Sequence, residues 1–291
     1  MSKTSIKLKN INIKHTQKYD NNLEDFCYKL RKNILFAISS FGVGHIGGCL
    51  SIVELLAVLY KNYMNIDPKD PQKVDRDRLV VSKGHSGPAI YAVLCEMGFF
   101  DFKWLSTLNQ PGTRLPSHCD MNKTPGIDMT TGSLGQGLSC AIGMAKASQL
   151  KKNGACIYVI LGDGELQEGQ VWEGAMFSAH NKLNNIIIFV DYNNAQIDGK
   201  VSEICEVEPV ADKWKAFGWN VLIVKNGNSC SEINDAICKV KNDELYKNNK
   251  PCAIILYTIK GFGADFAVEA GISNHSMSYD SKMFNEYYKN I

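Results

Sequence analysis

A chain of 291 residues, 45% hydrophobic and 21% charged, is long enough for one large α/β domain or two small ones around a sizeable core. A formal charge of +2 from 32 basic and 30 acidic residues argues against nucleic-acid binding as the main task. The ten cysteines form no Cys-x-x-Cys pair, and most lie in apolar segments such as those around Cys95, Cys140 and Cys238, so they read as small core residues in a reducing cytosol. No run approaches the roughly 18 apolar residues of a membrane span, and residues 1–20 lack the apolar centre of a signal peptide, so the expectation is a cytoplasmic chain without membrane contact.

Residues 1–19 carry Lys3, Lys7, Lys9, Lys14 and Lys18 without a sustained helical stripe, and read as a loose or partner-draped arm. From Leu23 onward Phe26, Leu30, Ile34 and Ile38 recur at helical spacing, predicting an amphipathic helix that ends near Gly42. The following loop, Gly42 to Gly48, places His45 among glycines that allow close backbone approach to a ligand. Ser51 and Glu54 read as a capping box opening an apolar helix through Met64.

After a charged turn, Leu79 to Val81 reads as a strand running into Ser82-Lys83-Gly84-His85-Ser86, and Pro88 suits the first turn of a helix from Ala89 to Met97. Lys83 and His85 thus stand between strand and helix, where both can face an anion. Residues 109–133 form a long connection containing His118, and such loops tend to be functional. Thr131 to Gly137 then leads into a helix of small residues through Leu150 and is expected to line the site.

Cys156 to Leu161 reads as a buried parallel strand ending at Gly162-Asp163-Gly164, and Ile186 to Val190 as a second one ending at Asp191-Tyr192-Asn193-Asn194. A helix starting beside Asp163 offers free N–H groups and a positive dipole end to an anion. A carboxylate at the same place repels that anion unless a cation lies between them. Asp163 with the amide oxygen of Asn193 makes a hard oxygen site suited to Mg²⁺, and together these features imply a metal-bridged phosphate or diphosphate.

Beyond it, helices at Ala211 to Phe217 and Ser231 to Leu245 alternate with strands at Asn220 to Val224 and Ala253 to Ile259. The last strand ends at Lys260-Gly261-Phe262-Gly263, and a loop with His275 precedes a final helix near 280–289. This alternation predicts an α/β fold, a doubly wound parallel sheet with helices on both faces, forming a single domain over 20–291.

The chain resembles the transketolase family, particularly its forms split into two polypeptides. The resemblance rests on Gly44-His45-Ile46-Gly47-Gly48, Ser82-Lys83-Gly84-His85, Asp120 to Gly126 with Thr131 to Gly137, Gly162 to Gly169, and Gln196-Ile197-Asp198-Gly199, in order along the chain. It implies the diphosphate-binding module of the thiamine-diphosphate-binding fold. By that resemblance Asp163, Asn193 and the carbonyl of Ala195 ligate Mg²⁺. Gly162 belongs to the same motif, Gly164 and Glu165 offer backbone N–H groups, and His85 lies near the diphosphate. Gly132 and Leu134 border the thiamine rings, with Lys83 and Lys260 as further candidates for the pocket.

The resemblance also implies that the cofactor carries most of the chemistry, leaving the protein to move protons at sugar hydroxyls and polarise carbonyls. His45, His118 and His275 are the candidates for that work. His15 and His180 fall outside the motifs. Glu168 resembles a residue that links paired active sites across an interface, and Glu173 follows it at i+5 on the same helix.

The family places a further carboxylate, needed by the cofactor, in a pyrimidine-binding domain for which this chain has no room. The expectation is therefore one half of an α2β2 enzyme, completed by a separate C-terminal subunit. Departures from the family pattern occur at Val43, at Ser117 and Cys119 around His118, and at Ser276-Met277 after His275. All lie beside substrate histidines, which points to a modified or nucleotide-linked sugar. A 2-oxo-acid dehydrogenase α subunit shares the metal motif but is disfavoured by the histidines, and a non-catalytic cofactor-binding subunit is disfavoured by the intact metal motif.

Overall fold

The computed structural model describes residues 22–197, 199–243, 246 and 248–289. The expected arm at 1–19, with His15, therefore lies outside the described residues, as do Asp198 of the Gln196 to Gly199 motif and the expected helix end at Leu245. In chain order the elements are α1 (Asn22–Phe41), β1 (Gly42–Gly44), α2 (Ile46–Leu50), α3 (Val53–Val58), β2 (Arg78–Val81), α4 (Gly87–Glu96), α5 (Gln136–Lys151), β3 (Ile157–Gly162), α6 (Gly169–His180) and β4 (Ile186–Tyr192). They continue with α7 (Val201–Ile204), α8 (Val210–Ala216), β5 (Asn220–Val224), α9 (Cys230–Asn242), β6 (Cys252–Tyr257), α10 (Asp265–Glu269), β7 (Met277–Tyr279) and α11 (Ser281–Lys289).

Five parallel strands form the main sheet in the order β2-β3-β4-β6-β5. Every residue of β4 is buried, as expected of a central strand covered on both faces. Alternate side chains go to different cores. Tyr158, Ile160, Ile187, Phe189, Ile254 and Leu256 pack with the apolar stripes of α1, α3, α4 and α9. Val159, Leu161, Ile186, Ile188, Val190 and Ile255 pack with α5, α6 and α8. This is the doubly wound arrangement read from the sequence, and it leaves the carboxyl ends of β3 and β4 side by side, with Gly162 opposite Asp191.

Three local expectations are corrected. The Gly42 to Gly48 stretch is not a plain loop: Gly42–Gly44 pairs antiparallel with Met277–Tyr279, and Ile46–Leu50 is helical. A Cβ on Gly47 would lie 2.0 Å from Asn274 Oδ1, so the helical turn packs where only glycine fits. The capping box is not formed either, because the helix breaks at Ser51 and Ile52 caps α3 without a side-chain bond. Ser51 instead donates to Asp191 Oδ2 at 2.6 Å, while the buried Glu54 pairs with Arg31 and accepts from Asn228 Nδ2 at 3.3 Å. A buried carboxylate needs a charged partner more than a helix end needs a cap. Finally, Ile46–Tyr63 has a mean hydropathy of 1.2 over 18 residues, apolar enough by length and composition to cross a membrane, but 83% of it is buried inside the fold.

Candidate active site

The carboxyl ends of β2, β3, β4 and β6 open onto a cavity of about 440 Å³. Every residue given a catalytic, cofactor or metal role from the sequence lines it: His45, Lys83, His85, His118, Gly132, Leu134, Gly162, Asp163, Gly164, Glu165, Glu168, Asn193, Ala195, Lys260 and His275. Gly48, Gln167, Asp191, Gln196, Ile197 and Ile204 line it as well and were not assigned from the sequence. A broader groove of about 640 Å³ runs along the loop of Arg114 and Lys123, but Arg114 lies over the Trp104 ring and Lys123 pairs with Asp120.

Asp163 is 3% exposed and follows directly on β3. Its Oδ1 accepts from Gly164 N at 2.8 Å, and its Oδ2 from Asn193 N at 2.9 Å and Asn194 N at 2.5 Å. Burial, and then the charge of Asp191, push its pKa up to about 6 against these backbone donors. Asn193 Oδ1 accepts from Ala195 N at 3.2 Å, and the Ala195 carbonyl accepts from Lys260 Nζ at 3.2 Å. Asp163 Oδ1, Asn193 Oδ1 and the Ala195 carbonyl thus each keep acceptor capacity beyond these single bonds. This hard-oxygen set of a carboxylate, a carboxamide and a backbone carbonyl fits Mg²⁺. Among the described residues no three His, Cys, Asp or Glu side chains are grouped to hold a metal, so the set relies on amide and backbone oxygens.

Glu165 was expected to act through its backbone; its side chain proves to be a clamp. The carboxylate is 2% exposed, accepts from Ser82 Oγ, and bonds Gly135 N at 2.8 Å and Gly162 N at 3.0 Å. It ties together the ends of β2 and β3 and the start of α5. Burial raises its pKa, with the Ser82 hydroxyl and the two backbone donors opposing.

Lys83 also departs from expectation. Its Nζ lies 2.6 Å from Asp191 Oδ2 and 2.7 Å from the Gly48 carbonyl, so its charge is committed to Asp191 rather than free for an anion. Lys260 is the freer cation. Besides the Ala195 carbonyl it meets His275 Nδ1 at 3.4 Å, and burial followed by the Lys83 charge lowers its pKa to about 8.

The four motif histidines converge. Ring centroids are 5.3 Å apart for His45 and His85, 5.9 Å for His45 and His118, 5.2 Å for His45 and His275, and 5.1 Å for His85 and His275. Pairing of β1 with β7 brings His45 and His275 together from opposite ends of the chain. Burial is the leading cause that lowers all four pKa values, well below the usual range for His85 and to about 4 for His275. The rings are therefore neutral near pH 7, each able to give or take a proton. Where Lys260 is an ammonium it only donates, and His275 Nδ1 then accepts, leaving the ring proton on Nε2.

Glu168 stands exposed just before α6, whose outer face exposes Glu173, Met176 and Phe177, and His180 lies at its far end. Of the departures from the family pattern, none of Val43, Ser117, Cys119, Ser276 and Met277 lines the cavity. Cys119 is buried, and Val43 and Met277 lie in the paired strands β1 and β7. The expected link between these positions and substrate choice has no direct contact behind it.

An open parallel sheet with an oxygen-lined cavity at its carboxyl edge defines an α/β protein with a ligand site at that edge. The family model described as the thiamine diphosphate binding domain of transketolase matches residues 25–281. The chain belongs to the transketolase family. It is 51% identical, over 88% of its length and 90% of the relative's, to a 6-deoxy-6-sulfo-D-fructose transketolase subunit of Clostridium sp. strain MSTE9. It is 39% identical, over 82% and 83% of the two chains, to an apulose-4-phosphate transketolase subunit of Phocaeicola vulgatus. Among solved structures, transketolase from Campylobacter jejuni superposes with a TM-score of 0.83 at 30% identity, covering 94% of this chain and 43% of that one. The chain thus spans under half of that solved transketolase.

Proposed function

We propose that this chain is the thiamine-diphosphate- and Mg²⁺-binding subunit of a split, cytoplasmic transketolase that transfers a two-carbon ketol unit from a ketose to an aldose. The carrying observation is the convergence of four neutral histidines on a cavity that also holds the Asp163, Asn193 and Ala195 oxygens. Those oxygens would hold Mg²⁺, Gly162, Gly164, Glu165 and His85 would hold the diphosphate, and Gly132 and Leu134 would hold the rings. Bound thiamine diphosphate supplies the carbanion stabilisation that ketol transfer requires.

The chain's own task is proton handling. As the bond between C2 and C3 of the donor breaks, its C3 hydroxyl loses a proton and becomes an aldehyde. The acceptor aldehyde gains a proton as the new bond forms, so the reaction is balanced without an oxidant. A neutral imidazole can take the first proton and return the second, which suits His45 and His118, while Nε2–H of His275 donates to an oxygen. A separate pyrimidine-binding subunit, in an α2β2 assembly with Glu168 and α6 at the contact between halves, supplies the rest of the site. Two relatives named as transketolase subunits support this division.

The donor proposed is a ketose modified at its far end, 6-deoxy-6-sulfo-D-fructose, from the name carried by the relative 51% identical to this chain. Removal of the ketol unit leaves a four-carbon aldose bearing the sulfonate. The test compares kcat/KM for this ketose and for fructose 6-phosphate in the assembly of both subunits. The sulfonated donor is expected to be preferred by about tenfold or more, equivalent to about 1.4 kcal/mol in transition-state binding. Equal or reversed preference overturns the donor, and absence of turnover with any ketose overturns the transfer.

A further inference from the structure

We propose that Asp191, held by Lys83, is a positioning residue that turns the carboxamide of Asn193 so that it presents oxygen rather than nitrogen to the cation. The inference stands on the Mg²⁺ site proposed above and concerns a residue that makes none of that site's proposed ligand bonds. Asn193 Nδ2 donates to Asp191 Oδ2 at 3.2 Å, and Asn193 Oδ1 accepts from Ala195 N at 3.2 Å. Each partner admits only one role: a carboxylate accepts, and a backbone N–H donates. Flipping the amide would set oxygen against oxygen and N–H against N–H, so the two ends are fixed by chemistry.

Asp191 is itself buried and held from several sides. It is 1% exposed; Oδ2 accepts from Lys83 Nζ at 2.6 Å and from Ser51 Oγ at 2.6 Å, and Oδ1 accepts from Thr258 Oγ1. Lys83 is anchored in turn by the Gly48 carbonyl at 2.7 Å. The chain of contacts runs from α2 through Lys83 and Asp191 to Asn193. It explains a buried ion pair that an anion-binding role for Lys83 leaves without a purpose, since partners that orient a metal ligand govern metal affinity from outside the ligand set.

The test is calorimetric titration of Mg²⁺, with saturating thiamine diphosphate, into the full chain in the assembly in which it purifies. Asp191→Ala is expected to weaken Mg²⁺ binding by about 10- to 100-fold. That variant also strands the Lys83 charge and can unfold the chain, so Lys83→Met with Asp191→Leu is the second arm. Replacing both charges by apolar groups is expected to bring the urea midpoint back towards wild type, while Mg²⁺ affinity stays about tenfold or more below it. A purely structural pair would recover both. Folded Asp191→Ala or the double variant binding Mg²⁺ within about twofold of wild type overturns the positioning role. Asp163→Ala is the control for the site itself: if wild type shows no Mg²⁺-dependent binding, or Asp163→Ala binds as wild type does, the metal site falls and the positioning role falls with it.

Discussion

At the residue scale the four histidines carry a cost that can be measured as stability. Their folded pKa values lie below the ordinary 6.5, to about 4 for His275. Between those limits the unfolded chain binds protons that the folded chain refuses, so stability is complete above about pH 6.5 and declines as pH falls towards about 4. The urea midpoint is expected to be lower near pH 5 than near pH 7, and His275→Gln is expected to flatten that dependence; an unchanged slope contradicts the buried, neutral assignment. Glu165→Gln offers a second check. It replaces an acceptor oxygen by an amide nitrogen against N–H donors or the Ser82 hydroxyl, and is expected to cost about 1–3 kcal/mol by urea denaturation. Asp163 and Asn193 were legible in the sequence because strand, turn and motif spacing place them at a sheet edge. The Asp191 pairing was not, because Lys83 lies 108 residues away and only the fold brings it near. Nor was the Glu165 clamp, whose Ser82 partner lies 83 residues back.

At the element scale, strands buried on both faces were plain from their β-branched runs, and β5 falls where the sequence put it, at Asn220–Val224. The β1–β7 pairing was hidden: each strand has three residues, too few to show alternation, and they meet from opposite ends of the chain. The glycine-rich stretch before α3 shows the same limit, since its glycines are explained by what packs on them. Gly47→Ala would push a Cβ to 2.0 Å from Asn274 Oδ1 and 2.9 Å from Lys260 Cγ. Asn274 is fully buried and anchored by Nδ2 bonds to the Lys260 and Ala267 carbonyls, so it cannot simply turn away. The expected loss is about 1–3 kcal/mol in urea denaturation. Accommodation without loss would show that α2 and the His275 segment are loosely packed.

For the whole molecule, apolar residues stand exposed near the cavity and on α6. Ile197 is 63% exposed and Ile259 51%, close to the cavity, while Met176 is 58% and Phe177 49% exposed on α6. Exposed apolar side chains of this kind suit a surface that a partner covers, in accord with the two relatives named as transketolase subunits. The most direct measurement is ketol transfer, in Mg²⁺ and thiamine diphosphate, by the chain alone and after reconstitution with a pyrimidine-binding subunit from the same genome. The account predicts no transfer by the chain alone and turnover on reconstitution. A full rate from the isolated chain, or none from the reconstituted assembly with any ketose donor, would contradict it.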